Sequence, residues 1–183
     1  MKHGKNLFLI PLLLLLIVSL AVPGHAADEG WQAVGVRYGF SMTEKDEYFH
    51  QYEVYTEYGL PWHWRGASGW GVSTKFNLAL GALYGGHTTS FVGSFGPSLA
   101  FDRNGRGFQF EIGPDFAVLG RDRFGKQNFG GLGLFQGHGS VSYIFDNGLG
   151  ISYRAQHTSN GGMYGPGNPG YDLHMFGVSW HFL

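Results

Sequence analysis

The chain has 183 residues, a formal net charge of −1, no cysteine, 32 glycines, 17% aromatic residues and only 14% charged residues. Without a basic excess it is no electrostatic binder of nucleic acid, and without cysteine it is no disulfide-stapled secreted scaffold. Charge far below the ~25% usual in soluble domains, replaced by Phe, Tyr, Trp and Gly, fits a membrane barrel with an apolar outer face and aromatic rims.

Residues 1–26 read as an export signal. Lys2 and Lys5 precede an apolar run from Leu7 to Val22, and Pro23 and Gly24 break that run before Gly24-His25-Ala26, a small-residue cleavage site. Cleavage there removes Lys2 and Lys5, moves the formal charge from −1 to −3, and leaves residues 27–183 as one domain.

Eight segments of period-two alternation follow, predicting an all-β, eight-stranded antiparallel transmembrane β-barrel. The first, near 32–40, sets Val34, Val36, Tyr38 and Phe40 on one face. The second, near 49–58, is weaker, with Tyr52, Val54 and Tyr58 opposed by Gln51, Glu53 and Glu57. The third, 70–84, is the cleanest: Trp70, Val72, Phe76, Leu78, Leu80 and Tyr84 oppose Gly71, Ser73, Lys75 and Asn77. In the fourth, 91–101, Phe91, Phe95, Leu99 and Phe101 share a face; in the fifth, 108–118, Phe108, Phe110, Ile112, Phe116 and Val118 do. The sixth, 135–145, sets Phe135, Val141, Tyr143 and Phe145 against Gln136, His138, Ser140 and Ser142. The seventh runs 149–159, and the eighth carries Phe176, Val178, Trp180 and Phe182 on one face.

Asn104-Gly105 and Asn147-Gly148 suit tight hairpins after the fourth and sixth segments, and longer links follow the first, fifth and seventh on the opposite rim. Gly59 to Gly69 reads as an unusually long link after the second segment, anchored at the interface by Pro61, Trp62 and Trp64. A soluble lipocalin-like barrel would invert the faces, and periodicity alone does not separate the two; the low charge and the rim aromatics favour the membrane.

Chemistry concentrates near the end of the seventh segment. His157 and Ser159 fall on its apolar face with Leu149, Ile151, Tyr153 and Ala155. They lie about 6.7 Å apart along the strand, within reach of an imidazole leaning toward a hydroxyl. Asp172 opens the eighth segment in register with His174 and Phe176, and so points outward as well. A base, a hydroxyl and an acid thus converge on the outer wall near the membrane interface, as acyl transfer requires. From the residues alone two readings stand: a catalytic set, or rim residues at headgroup depth where polar side chains cost little. The Gly-x-Ser-x-Gly elbow of soluble hydrolases is absent from the sequence. His50, His63, His87, His138, His174 and His181 show no metal-ligand spacing, so no metal site is expected, and ester hydrolysis by a serine would need no cofactor.

The run His157-Thr158-Ser159-Asn160-Gly161-Gly162, followed by Asn168-Pro169-Gly170 and the last segment, resembles the lipid A 3-O-deacylase family of the PagL type. The Trp62-His63-Trp64 stretch and the final Phe182-Leu183 fit it too. The resemblance implies an eight-stranded bacterial outer-membrane barrel acting as a serine esterase, with lipid A of lipopolysaccharide as substrate and membrane lipid as surroundings. Ser159 would be the nucleophile and His157 the base, with an oxyanion hole around Asn160 and Gly162. The orienting acid of that family is a glutamate; here Asp172, one methylene shorter, stands in the corresponding place. Two other readings remain, a non-catalytic scaffold or adhesin and an outer-leaflet phospholipase using the same residues. The sequence leaves a homodimer open.

Overall fold

The computed structural model describes residues 29–43 and 45–182. The export segment expected over residues 1–26 lies outside the described residues.

Eight long strands close into an antiparallel barrel. They are β1 (Gly30–Ser41), β2 (His50–Arg65), β3 (Trp70–Gly85), β4 (Thr88–Arg103), β5 (Arg106–Leu119), β8 (Gly133–Ile144), β9 (Leu149–Ser159) and β10 (Gly170–His181). Two short strands, β6 (Arg123–Phe124) and β7 (Gln127–Asn128), form a hairpin of their own in the β5–β8 link. Each barrel strand pairs with its chain neighbours, and β1 pairs with β10 to complete the ring. Closure leaves no free sheet edge, the condition for a sheet to stand in lipid.

Alternation sorts the side chains as the sequence predicts. The outer face is banded: aliphatic residues such as Val36, Leu80, Leu99, Ile112, Ile151 and Val178 are exposed along its middle. All five tryptophans, Trp31, Trp62, Trp64, Trp70 and Trp180, are exposed toward the rim of short turns. Tyr38, Tyr52, Tyr84, Phe91 and Phe135 ring the rim of longer loops. Aromatics at two levels flanking an aliphatic band match the two interfaces and hydrocarbon of a bilayer.

Inside, charges neutralise one another. Arg37 donates to Glu53 at 2.6 Å, Lys75 to Glu57 at 2.7 Å, and Arg154 to Asp115 at 2.6 Å, while His138 lies 2.8 Å from Asp115. Burying charge is tolerable only with such partners. This polar filling does not reach the loop rim. There Phe49, Leu83, Leu119, Leu134, Leu173 and Met175 form an apolar cluster, covered by Phe124 of β6 and by Phe129, which follows β7. The mouth is therefore filled by apolar side chains.

One expectation is corrected. Residues 59–69 are not a long link, because β2 continues to Arg65 and a short turn at 66–69 leads into β3. Pairing with β3 is interrupted only between Gly59 and His63. Pro61 has no N–H to give the ladder, so the strand bulges there and then resumes. Arg65 fastens the resumed end, donating to Gly69 O at 2.8 Å and to Asp102 Oδ1 at 2.9 Å.

Candidate active site

The β9–β10 ladder sets Asp172 directly opposite His157 and Gly170 opposite Ser159. On the other side of β9, Gly137 faces His157 and Phe135 faces Ser159. Antiparallel partners have Cα atoms about 4.5–5.5 Å apart, close enough for even the short aspartate side chain to reach the ring. His157 Nδ1 donates to Asp172 Oδ1 at 2.6 Å. That bond fixes the ring and leaves Nε2 as the acceptor nitrogen. Lys45, from the link between β1 and β2, donates to the other carboxylate oxygen, Oδ2, at 2.7 Å.

Exposure grades sharply across the three predicted residues. The His157 side chain is 54% exposed and that of Asp172 25%, whereas Ser159 is only 6% exposed. Ser159 keeps the outward parity of His157, but it is walled by Phe135, by Gly170 and by the turn that follows it. Among the described residues its hydroxyl has no hydrogen-bond partner, so the structure joins His157 to Asp172 and leaves Ser159 beside them unbonded. Hydrogen bonds to catalytic hydroxyls are often loose until substrate arrives.

The turn after Ser159 is made by the sequence Asn160-Gly161-Gly162. Gly161 and Gly162 adopt φ of 61° and 77°, left-handed values that glycine takes without strain. Asn160 is buried, and its side chain ties this turn to the β5–β8 link: Nδ2 donates to Phe129 O at 2.8 Å, and Oδ1 accepts from Gly162 N at 2.8 Å. The Gly161 N–H donates to Asn168 Oδ1 at 2.8 Å. Of the predicted oxyanion donors, the Gly162 amide thus already serves Asn160, while one Nδ2 proton of Asn160 remains unassigned. Tyr164 closes the arrangement, its hydroxyl donating to Gly133 O at 3.0 Å.

Beside His157 the outer wall is bare. A side chain added at Gly137 or Gly139 would meet open space. A concavity of about 590 Å³ runs from Gly137 past Pro114 and Ile112 to Leu99 and Trp62. On the other flank, Tyr153 is hydrogen-bonded to His174 Nδ1 at 2.8 Å, and Phe176 packs against Tyr153. Among the described residues no group of three or more potential ligands is placed to hold a metal ion.

Two features of the site are not legible in the sequence, Lys45 at the acid and the place of Gly170 opposite Ser159. No local motif marks a lysine whose partner lies 127 residues away. Gly170 could have been suspected from its place next to the final strand, but its opposition to Ser159 depends on register.

The family model for lipid A 3-O-deacylase (PagL) matches residues 50–181. No curated protein matches the chain in sequence. Among solved structures, the crystal structure of the outer membrane enzyme PagL aligns with a TM-score of 0.68 at 21% identity, over 81% of this chain and 98% of that one. The Yersinia pestis outer membrane protein Ail, in a phospholipid bilayer nanodisc, aligns at a TM-score of 0.46 and 10% identity, over 84% and 99% respectively. Because the family model spans most of the barrel, the chain belongs to the lipid A 3-O-deacylase (PagL) family and is an outer-membrane ester hydrolase.

Proposed function

We propose that this protein removes the 3-linked primary acyl chain of lipid A, using Ser159 as nucleophile, His157 as general base and Asp172 as the acid that orients His157. The loop rim is the external one, so the site stands at headgroup depth of the outer leaflet. The observation that carries the reading is the 2.6 Å bond between His157 and Asp172 on a wall otherwise built of apolar residues. A scaffold or adhesin gains nothing from an oriented imidazole facing lipid.

In the first half-reaction Ser159 Oγ attacks the ester carbonyl carbon while its proton passes to His157 Nε2. The resulting imidazolium is held by Asp172. The negative charge on the carbonyl oxygen is met by the second Nδ2 proton of Asn160 and by the Gly162 N–H, which shares its hydrogen between Asn160 Oδ1 and the new oxyanion. Collapse breaks the ester bond, and the sugar hydroxyl leaves with the proton from His157. Water then attacks the acyl-Ser159 carbonyl, giving its proton to His157. Expulsion of Ser159 releases a 3-hydroxy fatty acid and restores the serine.

The substrate's acyl chain stays in the hydrocarbon, along the bare wall of Gly137 and Gly139 and against neighbouring apolar side chains. An outer-leaflet phospholipase would use the same residues; the family to which the chain belongs favours lipid A. A long-chain alkyl sulfonyl fluoride tests the nucleophile. It should inactivate the enzyme and add one adduct to the peptide bearing Ser159. Inactivation with the adduct on another residue would refute the assignment.

A further inference from the structure

We infer that Lys45 is a positioning residue for this reaction: its ammonium holds the second oxygen of Asp172 and so sets the carboxylate plane that orients His157. The inference rests on the role given to His157, Ser159 and Asp172 above.

An aspartate carboxylate held through one oxygen can still rotate about its Cβ–Cγ bond. Here both oxygens are held by different donors, Oδ1 by His157 at 2.6 Å and Oδ2 by Lys45 at 2.7 Å. The plane of the carboxylate is thereby fixed, which matters most for an acid one methylene shorter than glutamate. The lysine is itself delivered by an anchored loop. Met42 N donates to the backbone oxygen of Asp172 at 2.9 Å, so the segment carrying Lys45 is pinned to the main chain of the residue its side chain binds. At the loop's far end, Phe49 N donates to Ser41 Oγ at 2.8 Å. Glu47 accepts from the backbone of Lys126 at 2.8 Å, fastening the loop to the β6–β7 hairpin.

The Lys45 side chain is half exposed, and an ion pair of that kind adds little to stability. Nor does its charge help the imidazolium, which it repels. What remains is geometry: with the carboxylate swung away, the ring loses its orientation and Nε2 its aim at Ser159.

The test uses the full protein in detergent micelles with lipopolysaccharide, measuring released 3-hydroxy fatty acid. Each rate is normalised to the fraction that migrates as folded barrel in unheated electrophoresis. Lys45→Met should lower kcat about tenfold, one charge-assisted hydrogen bond discounted for exposure, with KM within about twofold. Lys45→Arg, which keeps a donor, should recover most of the loss. In an Asp172→Ala background Lys45→Met should cost nothing further, because the lysine acts only through that carboxylate. Full kcat in Lys45→Met, or an equal loss in both backgrounds, would overturn the inference. Full activity in Asp172→Ala would remove the acid's role and the lysine's with it; loss in Asp172→Ala with none in Lys45→Met would sink the lysine alone.

Discussion

Replacing Gly170 by alanine is a one-carbon probe of the nucleophile's seat. Gly170 is the cross-strand partner of Ser159. A Cβ on Gly170 would lie 2.5 Å from Thr158 O and 2.7 Å from Ser159 Cβ, where ordinary contact begins near 3.4 Å. The deficits are thus 0.9 Å against a backbone oxygen and 0.7 Å against the serine itself. No flexible side-chain tip can absorb them, since both neighbours belong to a strand hydrogen-bonded on both sides. Overpacking of this kind costs about 1–3 kcal/mol of stability, which a closed barrel can bear. Relief must come from shifting the end of β9, carrying Ser159 off line by most of an ångström. A displacement of about 1 Å at a reacting group costs on the order of 10²-fold in rate. Gly170→Ala should therefore lower kcat about 30- to 100-fold while the folded fraction and KM change little. Fatty-acid release from lipopolysaccharide in micelles, beside unheated electrophoresis, measures both. A folded Gly170→Ala protein with kcat within about threefold of the parent would show that Ser159 is not seated as argued.

Three other outcomes follow from the same structure. Asn160→Ala strips partners from Phe129 O and Gly162 N, at about 1–3 kcal/mol of stability, and should lower kcat of the folded fraction about 10²-fold through the lost oxyanion donor; unchanged kcat would place the oxyanion hole elsewhere. Asp115→Ala leaves buried Arg154 and His138 without their shared carboxylate, so the urea midpoint followed by tryptophan fluorescence should fall by an equivalent of about 3–5 kcal/mol, with normal turnover per folded molecule. An unmoved midpoint would mean that these charges are not paired as described. Gly139→Leu projects into open space and should leave the fold intact. It should lower turnover of lipid A about tenfold by denying some 1–2 kcal/mol of chain burial, with a short soluble ester unaffected; equal turnover of both esters would move the acyl chain to another wall.

Much of the fold was legible because a barrel wall between lipid and a polar filling forces strict alternation, and residues 70–84 or 149–159 state that alternation plainly. Asn104-Gly105 announced its turn for a similarly local reason: the two residues adopt φ of 54° and 68°, values suited to that pair. What depended on contacts distant in sequence stayed hidden. The β6–β7 hairpin has only two residues per strand, too few for a period, and Phe124 and Phe129 gave no sign that they would close the mouth. The continuation of β2 past Pro61 stayed hidden because the proline gives the ladder no N–H, and only the pairing of residues 63–65 with β3 carries the strand on. At the site, parity alone set His157, Ser159 and Asp172 on one face, yet the burial of Ser159 comes from Phe135 and Gly170, whose registers no local pattern encodes. Lys45 belongs to the same class of contact.

The most direct measurement is mass spectrometry of lipid A from a host expressing this protein, beside the same host expressing Ser159→Ala at equal levels of folded barrel. Lipid A should lose the mass of one 3-hydroxyacyl chain with the parent protein and keep its full mass with the variant. The same loss with Ser159→Ala, or unaltered lipid A with the parent folded in the outer membrane, would contradict the proposed reaction.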